Sequence, residues 1–295
     1  MHIFKKEAFI IHTKYKNYTC LILTTFDTIS KIDIRYDIHL GGKDKGCVSI
    51  SVPSNTNFMD LTDNSVASIS SIHYNKNCDT KGHLQSGVGT KHMIRTSLNI
   101  VMEMYPWIKT FSLRDVSSKK CNPTNNTEFS LAKYYIALYG MTWYEKHFGA
   151  ELENQITRQA YMNRIQLLKN PSVKPKKYKQ MRSFFGIKND KQIKIQFETS
   201  ATFQDFFDSL NHNMDKEQLC DFLEPWIETF MDNILDENIH RFLTSIWVII
   251  GDKVEKIELK TDWKQSISID EYFENSYSLQ DGGDTYKTVI LDGSE

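Results

Sequence analysis

Residues Gly82-His83-Leu84-Gln85-Ser86-Gly87-Val88-Gly89-Thr90 constrain the fold of this chain more than any other stretch. Glycines at this spacing make a tight turn and leave no Cβ in the way of an approaching ligand. Behind them, Lys91 to Tyr105 carries Ile94, Leu98, Val101 and Tyr105 on one helical stripe, with Met93, Ser97 and Met104 beside it. Pro106 stops that helix. Ser65 to Tyr74 alternates as a strand before the turn, and Trp107 to Val116 reads as a strand after the helix. Strand, glycine turn, helix and strand in this order predict a βαβ unit. The amides opening such a helix point at an anion, and Thr90 is placed to cap it. The same glycines also serve any tight strand-to-helix turn, so the loop alone does not decide for a ligand.

The flanking sequence makes the fold class α+β. Thr19 to Phe26 is rich in β-branched residues, Lys31 to Leu40 alternates at period two, and Cys47 to Val52 returns after the turn Gly41 to Gly46. A meander of strands is expected. After the polar stretch Ser117 to Thr127, a helix is predicted from about Phe129 to Phe148, with Ala132, Ile136, Tyr139 and Trp143 on one face. Asn154 to Leu168 also reads as a helix. Composition then shifts: Lys169, Lys174, Lys176, Lys177, Lys179, Arg182, Lys188, Lys191 and Lys194 face the lone acid Asp190, and Pro171 and Pro175 break any helix. Beyond it, Gln192 to Glu198 alternates as a strand, and Phe203 to Leu210 and Lys216 to Leu235 are helical, the latter split by Pro225. Ser245 to Ile250 and Val254 to Leu259 flank Gly251-Asp252 as a hairpin whose first strand, apolar throughout, is expected to be central. The predicted domains are 1–168, a basic linker over 169–191, and a smaller α+β accessory domain over 192–295.

Charge and cysteine usage narrow the function classes. The formal net charge of -1 gives no whole-chain field for nucleic acid, and few aromatics interleave with the basic segment. A solvated linker is therefore expected there, and nucleic acid is not expected as a partner. The carboxylates of the second half lie at helical spacing and read as solvated faces. Acidic helices beside a basic linker suggest docking within the chain or onto protein partners. No apolar run is long enough to span a bilayer, and the start lacks the apolar block of a signal peptide. The five cysteines are scattered without a C-x-x-C pair, which predicts reduced, buried thiols in an intracellular, cytoplasmic protein. Cys78, His83 and His92 match no trusted zinc spacing, so no metal is expected.

Read together, Leu84-Gln85-Ser86-Gly87-Val88-Gly89-Thr90-Lys91 and Tyr144-Glu145-Lys146 resemble motifs of the GNAT family of N-acetyltransferases. The resemblance covers roughly Ser65 to Leu152. It implies a mixed-sheet GNAT-like N-terminal domain whose loop binds the pyrophosphate of acetyl-CoA through backbone amides. Gln85, Gly87, Val88, Gly89 and Thr90 would be the cofactor-binding residues. Tyr144 would protonate the departing thiolate, and Gly140 fits where the family has a small residue. His73, at the end of its strand, is the titratable residue left for the base. The implied function is acyl-CoA-dependent N-acyl transfer to an amine acceptor. The departures are specific: Leu84 stands where the family has Arg or Gln, Ala137 replaces an asparagine, and Ser65 to Tyr74 holds no carboxylate. They support a second reading, a non-catalytic GNAT-fold structural or interaction protein. Many Lys, Asn and Ile beside few Pro and Ala suggest an AT-rich genome, so a minor component of a large DNA virus capsid, located in the virion, fits that reading.

Overall fold

The structure, a computed structural model, describes residues 2–13, 17–27, 29, 32–41, 47–55, 65–72, 88–119, 121, 128–173, 191–235, 238–257 and 259–268. The fold is α+β. The chain forms two compact units, Met1–Trp107 with Glu255–Glu295, and Ile108–Val254. These units divide the chain at different places from residues 168 and 192. Strand pairing between distant segments sets their limits.

The first unit is built on an antiparallel meander of β1 (His2–Thr13), β2 (Asn17–Asp27), β3 (Ile32–Leu40), β4 (Val48–Pro53) and β5 (Val66–Ile72). Strand β11 (Leu259–Ile267) pairs antiparallel with the free side of β1, so that Ile10 stands opposite Gln265. Register places Ile22 opposite Ile38, Ile38 opposite Ile50 and Ile50 opposite Ile69. All four are buried, which is why a slip by one residue is disfavoured: it would turn this row to the other face. Helix α1 (Val88–Met104) packs on β4 and buries Met93, Ile94, Leu98 and Val101, the predicted stripe. Tyr105 is buried as well, its ring 4.7 Å from that of Tyr36 and 5.3 Å from that of Trp107. The outer face of α1 holds the returning chain. Arg95 pairs with Glu255 at 2.8 Å, Asn99 donates to the Glu255 carbonyl at 3.1 Å, and Ile257 N–H donates to Asn99 Oδ1 at 3.3 Å.

The second unit centres on β10 (Ile246–Ile250), which lies between β6 (Thr110–Arg114) and β9 (Glu151–Leu152) and is antiparallel to both. Its predicted central position holds. Two residues pair as β7 (Ser118–Lys119) with β8 (Phe129–Ser130). The helices are α2 (Leu131–Tyr139), α3 (Trp143–Phe148), α4 (Gln155–Lys169), α5 (Lys191–Thr199), α6 (Phe203–Asn213), α7 (Lys216–Leu223), α8 (Ile227–Leu235) and α9 (Asn238–Leu243). Their core is aromatic: Phe197, Phe203, Phe206, Phe207, Trp226 and Phe230 are buried with ring centroids 5.1–6.2 Å apart. Edge-to-face pairs dominate, as the ring quadrupoles favour.

Several sequence expectations change. The helix predicted over 129–148 is two helices, because Gly140 takes the left-handed conformation (φ 66°) and Thr142 starts α3 with a reciprocal capping box to Glu145. The predicted strand over Gln192 to Glu198 is helix α5. Ile193 and Phe197 are buried four residues apart while Ile195 between them is 58% exposed, which fits a helical period and not an alternating one. The hairpin at Gly251-Asp252 does not form. Gly251 to Lys253 make a single 3-10 turn, Gly251 N–H donates to the Lys109 carbonyl, and the strand that follows, β11, pairs with β1. Two carboxylates of the solvated faces, Glu228 and Asp232, also hold the buried Lys133: its ammonium pairs with Asp232 at 2.8 Å and with Glu228. The thiols are not all reduced. Cys121 and Cys220 form a disulfide with Cα atoms 5.4 Å apart, Cys47 is disulfide-bonded too, and Cys20 is free and buried. Among the described residues no helix is long and apolar enough to cross a membrane.

Candidate functional site

The predicted site residues fall in both units. His73, Gln85 and Gly87 lie outside the described residues, as do most of the basic linker and the turn Gly42 to Gly46. Val88, Gly89 and Thr90 open α1, so the last glycine of the loop, Gly89, falls in the first helical turn. That turn holds no acid, and Lys91, His92 and Arg95 follow within it or one turn on. Burial, and next the charges of Arg95 and Lys91, push the His92 imidazole below its ordinary value. The start of α1 therefore combines a helix dipole with the positive charge of Lys91, both of which favour an anion.

Tyr144 lies in the second unit, on α3, and its side chain is buried at 6% exposure. Its ring packs 5.0 Å from Trp143 and 6.4 Å from Phe148. Burial, with the negative charge of Asp115 second, raises the phenol well above its ordinary value and keeps it protonated. The His147 ring lies 5.3 Å from Trp143 and 6.1 Å from Tyr135.

Around Tyr144 the structure assembles an acid cluster that motif reading missed. Asp115 follows β6 and is 4% exposed. Its Oδ1 accepts from Ser117 Oγ at 2.5 Å and from Ser117 N–H at 3.3 Å, whereas its buried Oδ2 has no hydrogen-bond partner. Burial raises this carboxyl to about 6, and the nearby charge of Glu145 adds to the rise while the Ser117 hydrogen bonds oppose it. Tyr161 of α4 donates to Glu145 Oε2 at 2.5 Å, and Thr142 N–H donates to the same oxygen at 2.7 Å. Glu145 is raised too, by burial first. Asp115, Tyr144 and Tyr161 are buried and Glu145 is half-buried, and each of the four has its acidity altered first by burial. One signal in the sequence marks Asp115: it continues the alternation of Phe111 and Leu113, which puts an acid in phase with the buried face.

A second group pairs sulfur with carboxylate. Ligand atoms of Cys121, Asp221 and Glu224 lie within 4.8 Å of one another, with Cys121 held in its disulfide to Cys220.

No family model, curated protein or solved structure matches the chain.

Proposed function

We propose that the chain is a GNAT-like, acyl-CoA-dependent N-acyltransferase. The observation that carries this reading is the start of α1 at Val88, directly behind Gln85-Ser86-Gly87, with β5 before the loop and β6 after the helix. The motif residues thus open a helix that is free of acid in its first turn. In this reading the amides of Val88, Gly89 and Thr90 hold the pyrophosphate of acetyl-CoA, with Lys91 adding positive charge. Tyr144, kept protonated by burial and by Asp115, supplies the proton to the thiolate of coenzyme A as an amine attacks the thioester. His73 takes the proton from that amine. Orientation of the thioester supplies most of the rate.

Thermal melting with acetyl-CoA tests the reading. Acetyl-CoA at a hundred times its dissociation constant adds about 2.7 kcal/mol of stability. Gly89→Glu should abolish this shift, since it sets a carboxylate where the pyrophosphate would lie. Tyr144→Phe should keep the shift and lower the transfer rate by about 10²–10⁴-fold. No shift at millimolar acetyl-CoA would overturn the proposal.

One observation favours the second reading, a non-catalytic structural or interaction protein such as a minor capsid component. Tyr144 is packed under Trp143 and Phe148, and its neighbour Glu145 is spent on capping α3 and on Tyr161. That reading expects no shift with acetyl-CoA and the same melting temperature for Gly89→Glu with and without it.

A further inference from the structure

The Cys121–Cys220 disulfide lies beside two carboxylates that acyl transfer does not use. Cys220, Asp221 and Glu224 occupy the last turn of α7 and its C-cap, where Glu224 N–H donates to the Cys220 carbonyl at 2.9 Å. Cys121 reaches them from the segment before β8. Among the described residues Cys121, Asp221 and Glu224 form the group whose ligand atoms are near enough to share one ion, and Cys220 is bonded to Cys121 through sulfur. A second observation points the same way. Glu224 is 9% exposed, and its buried Oε1 has no hydrogen-bond partner. Buried acceptors are rarely left so, and a cation beside the sulfurs would satisfy this one.

We propose that reducing this disulfide opens a zinc site made by Cys121, Cys220, Asp221 and Glu224. A dithiol passes two electrons and two protons to the bridge. The S–S bond breaks, both sulfurs become thiols, and the dithiol closes to its own disulfide. A zinc ion then displaces the two thiol protons and binds two thiolates and two carboxylates, a tetrahedral set of the kind zinc prefers. Sulfurs on one tetrahedral zinc stand about 3.8 Å apart, from Zn–S bonds of about 2.3 Å. The cysteine Cα atoms, 5.4 Å apart, are near enough for side-chain rotation alone to reach that spacing. Disulfide and ion exclude each other, so oxidation expels the metal and reduction admits it. The chemistry of the set, two soft thiolates with hard oxygens, selects zinc over calcium or magnesium. This inference stands independently of the acyltransferase reading.

The test uses the full chain, reduced with dithiothreitol, freed of it by gel filtration under nitrogen, and titrated with Co²⁺ as the zinc probe. The reduced chain should develop thiolate-to-cobalt charge-transfer absorption and tetrahedral d–d bands that saturate at one equivalent. Zinc should discharge both. The oxidised chain should show neither. Glu224→Gln, which preserves shape, should weaken cobalt binding about tenfold or more while keeping the thiolate band. Cys121→Ser with Cys220→Ser should lose the band although Cys20, Cys47 and Cys78 remain. Should that double variant not fold, the oxidised chain and Glu224→Gln still decide the matter. Equal cobalt binding by the oxidised chain, a band that survives without Cys121 and Cys220, or unchanged affinity in Glu224→Gln would each overturn the proposal.

Discussion

Asp115 is the residue at which burial and charge conflict most plainly. Its carboxyl ionises near 3.8 when unperturbed and at about 6 when folded. Between those values the native chain keeps a proton that the unfolded chain has released. Stability therefore falls as pH rises through this window, and the loss is complete above about 6. A rise of this size corresponds to roughly 3 kcal/mol. Asp115→Asn keeps an oxygen for Ser117 and carries no charge, so it should be more stable than the parent at pH 7 by about 1–3 kcal/mol and equal to it near pH 4. Urea unfolding across that range measures the difference. Parallel curves for the two proteins would refute the assignment. The alternation Phe111, Leu113, Asp115 made this site legible in the sequence. The burial of Tyr144 was not, because it depends on Trp143, Phe148 and Asp115 meeting in three dimensions.

At the scale of elements, short apolar runs are where sequence and structure part. Ile193-Lys194-Ile195-Gln196-Phe197 satisfies an alternating pattern and a helical one equally well, and the helix wins because Phe197 reaches Phe203 and Phe206. Phe197→Ala should cost about 3–5 kcal/mol, since Phe197 is 1% exposed, while Ile195→Ala on the solvent side should cost about 0.5 kcal/mol or less. Equal losses, measured by denaturant unfolding, would restore a strand. The break between α2 and α3 was legible only as a small residue. Gly140 and Gly149 both sit at positive φ, 66° and 62°, so alanine strains the backbone at either by about 1 kcal/mol. They differ in their surroundings. A Cβ at Gly140 would meet Gln204 Oε1 at 3.3 Å and the Lys169 side chain at 3.5 Å, whereas one at Gly149 would meet nothing within 4 Å. Gly140→Ala should therefore lower the melting temperature more than Gly149→Ala does, and equal losses would show that strain alone decides. The long periodic elements, α1, α4 and the meander β2 to β5, were read correctly because their patterns repeat often enough to exclude the alternative period.

For the molecule as a whole, the units follow contacts that no local pattern carries. Strand β11 pairs with β1 across more than two hundred residues, and β10, which follows the helices of the second unit in the chain, lies between β6 and β9. The shift to basic composition at residue 169 does not coincide with the division into units, since helices on both sides of it belong to Ile108–Val254. The cysteines were equally opaque, because a spacing of 99 residues between partners has no signature in a list of positions. That same spacing makes the bridge consequential. In the chain-entropy account, closing a loop of about 100 residues removes about 4.7 kcal/mol of freedom from the unfolded chain. Both sulfurs lie in the second unit, which holds Trp143, Trp226 and Trp247. Cys121→Ala with Cys220→Ala leaves Cys47 bridged and should lower the stability of that unit by about 3–5 kcal/mol, read from tryptophan fluorescence during denaturation. Adding a dithiol should then lower it little further. If instead the double variant unfolds with the parent's midpoint, the unfolded chain must already be confined near that closure, and the bridge would serve through the oxidation and reduction of its two sulfurs beside Asp221 and Glu224 rather than through the stability of the fold.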